Sequence, residues 1–189
     1  NRTEFCQKLL NQCAADVNWL SNILFTDEAH FHLNGAVNTH NMRIWSCENP
    51  NEVIEQPLHS RKVTVFCGFC SKFITPPYFF EDDDDQTVTV SGDRYRRMLQ
   101  TFLFPFLRSK RKMSSIIFQQ DGATSHTAKD TKQLLSKNFG ERVISKGFPF
   151  EWPARSPDLN GCDFWLWGHL KANVYMPPPA NLAQLKENI

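Results

Sequence analysis

The chain has 189 residues, 41% of them hydrophobic and 13% aromatic, with a formal net charge of +1. That is enough apolar material for one well-cored domain, and the near-neutral balance gives no electrostatic mark of a nucleic-acid partner. No apolar run is long enough to cross a membrane as a helix, and the six cysteines show no disulfide-framework spacing, which fits a piece of a longer intracellular protein beginning here at Asn1.

In chain order, residues 4 to 20 predict a helix with Phe5, Leu9 and Cys13 as its apolar stripe. The segment from Ile23 to Leu33 follows the strand period. Phe25, Asp27, Ala29, Phe31 and Leu33 fall on one face, and Thr26, Glu28, His30 and His32 on the other. Asp27 is the one charge on the apolar face, a costly place for a carboxylate unless a cation or partner meets it. His30 and His32 face away from it, which favours a structural role over metal binding. Val37 to Trp45 and Val63 to Phe80 read as further strands, joined by an irregular Glu48 to Ser60 link into an antiparallel meander. Cys67 and Cys70 sit three apart in a strand, so they point to opposite faces and do not make half a zinc site.

Glu81 to Asp85 is an acidic run of the kind that connects elements in solvent. Ser91 is placed to cap a helix running through Tyr95, Met98, Leu99 and Phe102 towards Leu107. The basic run Arg108 to Lys112 that ends it suits the helix dipole and a phosphate contact equally. Next, Ser115 to Gln120 reads as a short buried strand that ends on Asp121 and turns at Gly122. Taken alone, Asp-Gly is a turn and helix cap. A helix from about Thr127 to Asn138, a short strand from Val143 to Lys146 and a proline-rich Phe148 to Pro157 loop follow. In the helix after that loop, Asp163 shares a stripe with Trp167, Leu170 and Val174. Asn181 to Ile189 reads as the start of another helix.

Strands alternating with helices in the second half imply parallel pairing. The expected fold is therefore α/β, a mixed five-stranded sheet, antiparallel first and parallel after, flanked by helices on both faces. Three inward acids, Asp27, Asp121 and Asp163, fit a hard-cation site built from oxygen ligands. His126 lies close enough to Asp121 to support it or to contact a ligand. Asp158 reads as a first-turn acid. There is no glycine-rich phosphate loop and no Ser/His/Asp or Cys/His nucleophile arrangement.

Three segments carry a family resemblance: Phe25-Thr26-Asp27-Glu28-Ala29-His30-Phe31, Gln120-Asp121-Gly122-Ala123-Thr124-Ser125-His126, and Trp152-Pro153-Ala154-Arg155-Ser156-Pro157-Asp158-Leu159-Asn160-Gly161-Cys162-Asp163. In this order they resemble the signature blocks of the catalytic domain of Tc1/mariner transposases. The resemblance implies a ribonuclease-H-like fold over residues 1–176, with residues 177–189 starting a truncated C-terminal helical segment. It implies that Asp27, Asp121 and Asp163 are the catalytic, metal-binding triad, holding two Mg²⁺ or Mn²⁺ ions. The implied activity is cleavage and strand transfer on double-stranded DNA at transposon ends and target, in the nucleus, by a protein that self-associates when full-length and does not enter membranes. Two alternatives stay open: a ribonuclease-H-like nuclease acting on another nucleic acid, and a decayed or domesticated DNA-binding remnant.

Three features locate the chain within the resemblance. The third acid is Asp163, as in the mariner branch, where the Tc1 branch has Glu. The spacing from Asp121 to Asp163 is longer than usual. Gly161 stands where the family has Pro. With Asn160 as N-cap, glycine at the first helical position is expected to loosen the helix start by up to about 1 kcal/mol. Mutual repulsion in the metal-free triad is expected to raise at least one carboxyl pKa, so that Asp121→Asn would stabilise the metal-free protein.

Overall fold

Strand β1 (Ile23–His32) is the axle of the sheet, and its two neighbours pair with it in opposite senses. It runs antiparallel to β2 (Lys62–Cys70), from Phe25 opposite Phe69 to His32 opposite Lys62. On its other side it runs parallel to β5 (Ile117–Gln119), which in turn runs parallel to β6 (Val143–Ile144). Two short strands, β3 (Phe73–Ile74) and β4 (Tyr78–Phe79), complete an order β3-β2-β1-β5-β6, with β4 pairing to β2. The structure, a computed structural model, describes residues 2–35, 47 and 61–189. The expected strand Val37 to Trp45 and the link Glu48 to Ser60 lie outside the described residues.

The mixed sheet expected from the sequence is present, and the four expected strands that fall on described residues appear there as six. The difference arises in Val63 to Phe80, read as one strand. A turn at Ser71 and Lys72 folds β3 back onto β2, and Pro76-Pro77, which cannot donate to a ladder, break the chain again before β4.

The helices cover both faces. On one face lie α2 (Gly92–Met98), a wider π turn (Leu99–Leu103) and α3 (Phe104–Ser109), followed by α4 (Thr124–Thr127) and α5 (Lys129–Phe139). Ser91 caps α2 as expected, its hydroxyl accepting from the Arg94 amide at 3.3 Å. Pro105 has no N–H for the carbonyl one turn back, and the π turn sits where that bond is missing. Tyr95, Met98, Leu103, Leu107, Leu135 and Phe139 from these helices meet Leu24, Phe66 and Phe118 of the sheet.

The opposite face receives a second π turn (Cys162–Leu166), α6 (Trp167–Asn173) and α7 (Leu182–Asn188). Phe31, Val63, Val65 and Cys67 pack there against Cys162, Leu166, Trp167, Val174 and Leu185. Full burial of a side chain such as Phe31 contributes about 2–3 kcal/mol. The terminal helix thus inserts Leu185 into the same core as the sheet, as one body with the preceding residues. Cys67 and Cys70 lie in different core clusters, on opposite faces, so strand alternation keeps them apart as expected. Helix α1 (Arg2–Ala15), shorter than the expected 4 to 20, docks Phe5 on Ile23, Ile117, Ile144 and Trp152.

Candidate metal centre

Register alone brings the first two acids together. Phe25 pairs with Gln119 across β1 and β5, and one further pleat along each strand sets Asp27 beside Asp121, at the open end of β5. Asp27 lies on the face that carries Phe25, Ala29 and Phe31, as the strand period predicted. Its Oδ2 accepts a hydrogen bond from the Trp167 indole N–H at 2.9 Å. Burial, followed by the neighbouring charges of Glu28 and Asp163, pushes its carboxyl well above the usual range, and the Trp167 bond only partly opposes them.

Asp163 comes from above the sheet. Asn160 is buried and stitches this entry to β1, its Nδ2 donating to Thr26 O at 3.3 Å while its Oδ1 caps the Cys162 amide at 3.1 Å. Gly161 follows in ordinary helical conformation, and its missing side chain has a reason. A Cβ there would stand 2.7 Å from Phe69 Cζ and 3.4 Å from Phe25 Cγ. The Phe69 ring is itself flanked by Phe25 and Trp165, at centroid separations of 5.7 and 5.4 Å. Phe69 occupies the room that a proline ring would need.

The next turn corrects one sequence expectation. Because Cys162–Leu166 is a π turn, in which the Trp167 N–H reaches back five residues to Cys162 O, the buried stripe through Trp167 and Val174 continues to Cys162. Asp163 is rotated out of that stripe to an exposed position on the rim. Its carboxyl still meets the other two acids. Desolvation and the charge of Asp121 raise it, and a hydrogen-bond contact with Asp27 works in the opposite sense. Asp121 and Asp163 line one cleft of about 340 Å³, together with Gly122, Lys146, Arg155 and Ser156.

Asp121 is held differently. Its Oδ1 accepts from the Ala123 amide at 3.0 Å, so it does make the turn that Asp-Gly suggests, and it also lies 2.6 Å from His126 Nδ1. The other ring nitrogen of His126 lies 3.1 Å from Glu28 Oε2. Burial lowers the pKa of this imidazole, but the charges and hydrogen bonds of Glu28 and Asp121 outweigh it and carry the pKa up to about 10, so the ring is a cation. Burial would raise the Asp121 carboxyl; the imidazolium bond and charge, with the Ala123 amide, instead hold it below the usual range. Tyr95 lies against the ring at a tilt of 40°, with centroids 4.4 Å apart. Its hydroxyl donates to Gln120 Oε1 at 2.8 Å, and Gln120 Nε2 donates to His126 O and Ser145 Oγ.

Two residues of this centre escaped the sequence reading as participants. Glu28 reaches across from the second face of β1, and Trp167 appeared only as a member of an apolar stripe. The signal for Glu28 was its place beside Asp27 with a buried-face histidine due near Asp121. His30 and His32 stay clear: His30 Nδ1 contacts Thr64 Oγ1 at 3.0 Å, and burial lowers its pKa to about 4. Asp158 is an exposed partner of Arg2.

Among the described residues, no three His, Cys, Asp or Glu side chains already stand as a finished coordination cage. The donor set nonetheless suits a hard divalent cation. Its acids offer carboxylate oxygens, and two of the carboxyls are raised by burial and then by neighbouring negative charge, which a cation would offset.

Residues 22–186 match the family described as DDE superfamily endonuclease. The Transposable element Tc3 transposase of Caenorhabditis elegans is 28% identical over 174 residues, covering 91% of this chain and 48% of the relative. The chain therefore spans about half the length of the curated relative it matches. Among solved structures, the Mos1 transposase paired-end complex with left transposon end superposes with a TM-score of 0.66 at 23% identity, over 90% of this chain and 47% of that one. The Mos1 transposase catalytic domain with raltegravir and Mg gives 0.61 at 22% identity, over 90% and 71% of the two chains. The Mos1 strand transfer complex gives 0.65 at 23%, over 90% and 46%. These likenesses bear out the ribonuclease-H-like fold.

Proposed function

The chain belongs to the DDE superfamily endonuclease family, as a catalytic domain of the Tc1/mariner transposase type, and from that premise we propose that it cuts DNA at transposon ends and joins the freed end to a target. The observation that supports the reading is that Asp163 lies within electrostatic reach of both Asp27 and Asp121, and lines one cleft with Asp121 past the end of β5. In this reading the three acids hold two Mg²⁺ or Mn²⁺ ions. Divalent cations bound there would lower the pKa of an attacking water or 3′-hydroxyl and neutralise the leaving oxygen.

The remaining chemistry belongs to the chain. Trp167 fixes one oxygen of Asp27 and leaves the other free of that bond. His126 and the Ala123 amide fix Oδ1 of Asp121, so that its carboxylate arrives oriented and ionised. Asp163, on the rim, closes the site from above. No protein nucleophile is required. Double-stranded DNA as substrate places the work in the nucleus, and synapsis of two ends calls for self-association of the full-length protein.

The test is nicking of a duplex carrying the element's own terminal repeat. Cleavage is expected with Mg²⁺ or Mn²⁺, none in EDTA, and almost none for Asp121→Asn. Undiminished cleavage in EDTA or by that variant would rule the mechanism out.

A further inference from the structure

The register that aligns Asp27 with Asp121 continues one strand further. Gln119 pairs with Ile144 across β5 and β6, and one pleat beyond each lie Asp121 and Lys146. Asp27 on β1, Asp121 past the end of β5 and Lys146 in the turn after β6 therefore follow one another across this end of the sheet. The stem of Lys146 crosses the bare face of Gly122, with its Cδ 3.6 Å from where a Cβ would sit. Lys146 and Arg155 line the same cleft as Asp121 and Asp163. Neither cation makes an ion pair with a described residue. Arg155 also holds a left-handed backbone, φ 54°, between Pro153 and Pro157, a conformation unfavourable for a non-glycine residue. Such strain persists where the surrounding structure holds the backbone.

We propose that Lys146 and Arg155 form a phosphodiester-binding subsite beside the acid cleft, gripping the nucleotide next to the one being cut. This rests on the transposase reading above and adds which residues hold the strand. Without an ion pair to hold them, the two cations are placed for a backbone that passes over metal-neutralised acids. The grip also has a boundary. The adjoining cleft beyond Lys146 is lined by Glu4 and Glu151 as well as Lys8, so its charges cancel and it offers phosphate no net attraction.

The experiment uses this chain, a short duplex as probe and Ca²⁺ in place of the catalytic ion. Binding is followed by fluorescence anisotropy over a range of salt concentrations. Lys146→Met keeps the stem over Gly122 and removes the charge; Arg155→Met does the same opposite it. Each variant is expected to bind about tenfold more weakly at low salt, as for a lost charge-assisted contact. Each should also reduce the slope of log K against log salt by about 0.7–0.9, the loss of one phosphate contact. Lys146→Arg should restore both. Mn²⁺ affinity without DNA should be unchanged or higher, which separates this role from support of the acids. A wild type that does not bind the duplex, or salt slopes left unchanged by both variants at unchanged melting temperature, would overturn the proposal. Metal-dependent nicking by the wild type is scored separately, so failure of the transposase reading shows as absent cleavage and failure of the subsite as unchanged slopes.

Discussion

The two flanks of the acid cleft are built on opposite principles. On the Asp121 side, a buried imidazolium stands between a half-exposed carboxylate and a mostly buried one, backed by Tyr95, Gln120 and Ser145, and every charge has an opposite neighbour. On the Asp27 and Asp163 side, two carboxyls meet, and burial pushes both up despite the Trp167 N–H at Asp27 and the charge of Lys171 near Asp163. The first flank is organised before any cation arrives. The second is completed by one. A site arranged so can keep one ligand rigid while remaining selective for an ion that must also satisfy two reluctant acids.

The largest expected effect tests whether both flanks are needed. Asp27→Asn and Asp121→Asn should each lower cleavage by about three orders of magnitude or more, since several kcal/mol of charge stabilisation is lost and each ~1.4 kcal/mol is tenfold. A loss confined to Asp121→Asn would make the Asp27 flank structural.

The next effect isolates the organised flank. His126→Ala leaves Glu28 and Asp121 facing each other without a cation, and should destabilise the fold by about 3 kcal/mol in denaturant unfolding. Where it still folds, metal affinity should drop about 10–100-fold. The pH dependence follows from the raised imidazole. Its stabilisation is complete below its ordinary pKa near 6.5 and is lost as pH rises through about 10. The stability gap between wild type and His126→Ala should therefore shrink across that alkaline range. A gap that stays constant would show a neutral ring.

A smaller effect probes the helix entry that carries Asp163. Gly161→Ala drives a Cβ into Phe69, with an expected cost of about 1–3 kcal/mol from overpacking. Phe69→Leu in the same chain should recover part of it. Equal costs in both backgrounds would separate Gly161 from Phe69.

How much of this was legible in the sequence depended on period and distance. Strand alternation placed Asp27 among Phe25, Ala29 and Phe31, and separated Cys67 from Cys70, because a period of two leaves no freedom. The same logic failed for Asp163. A π turn inserts an extra residue per turn, and nothing in Cys162 to Trp167 announces it, so the apolar stripe passed to Cys162. The three segments of β2, β3 and β4 read as one because Ser71-Lys72 lacks the glycine or asparagine that marks a tight turn. The Glu28 to His126 pair was hidden for another reason. It joins two residues on the side of β1 away from Asp27, and only the parallel docking of β5 reveals that they meet. That pair also reverses one expectation. Carboxyl pKa values are raised here, by burial first and repulsion second, but at Asp27 and Asp163; Asp121 is lowered by its imidazolium.

The contrast between the flanks is most directly tested by metal-free melting of Asp27→Asn and Asp121→Asn at neutral pH, each repeated with Mn²⁺. A raised carboxyl destabilises the fold above its own pKa, so neutralising Asp27, with the Trp167 bond retained by the Asn oxygen, should raise the melting temperature. A lowered carboxyl stabilises the fold at every pH above its ordinary value near 3.8, so neutralising Asp121 should reduce it. Mn²⁺ should stabilise the wild type by mass action and both variants much less. We expect opposite shifts from the two substitutions. Shifts of the same sign, or equal stabilisation of all three proteins by Mn²⁺, would contradict the division of the site into an organised flank and a metal-completed one.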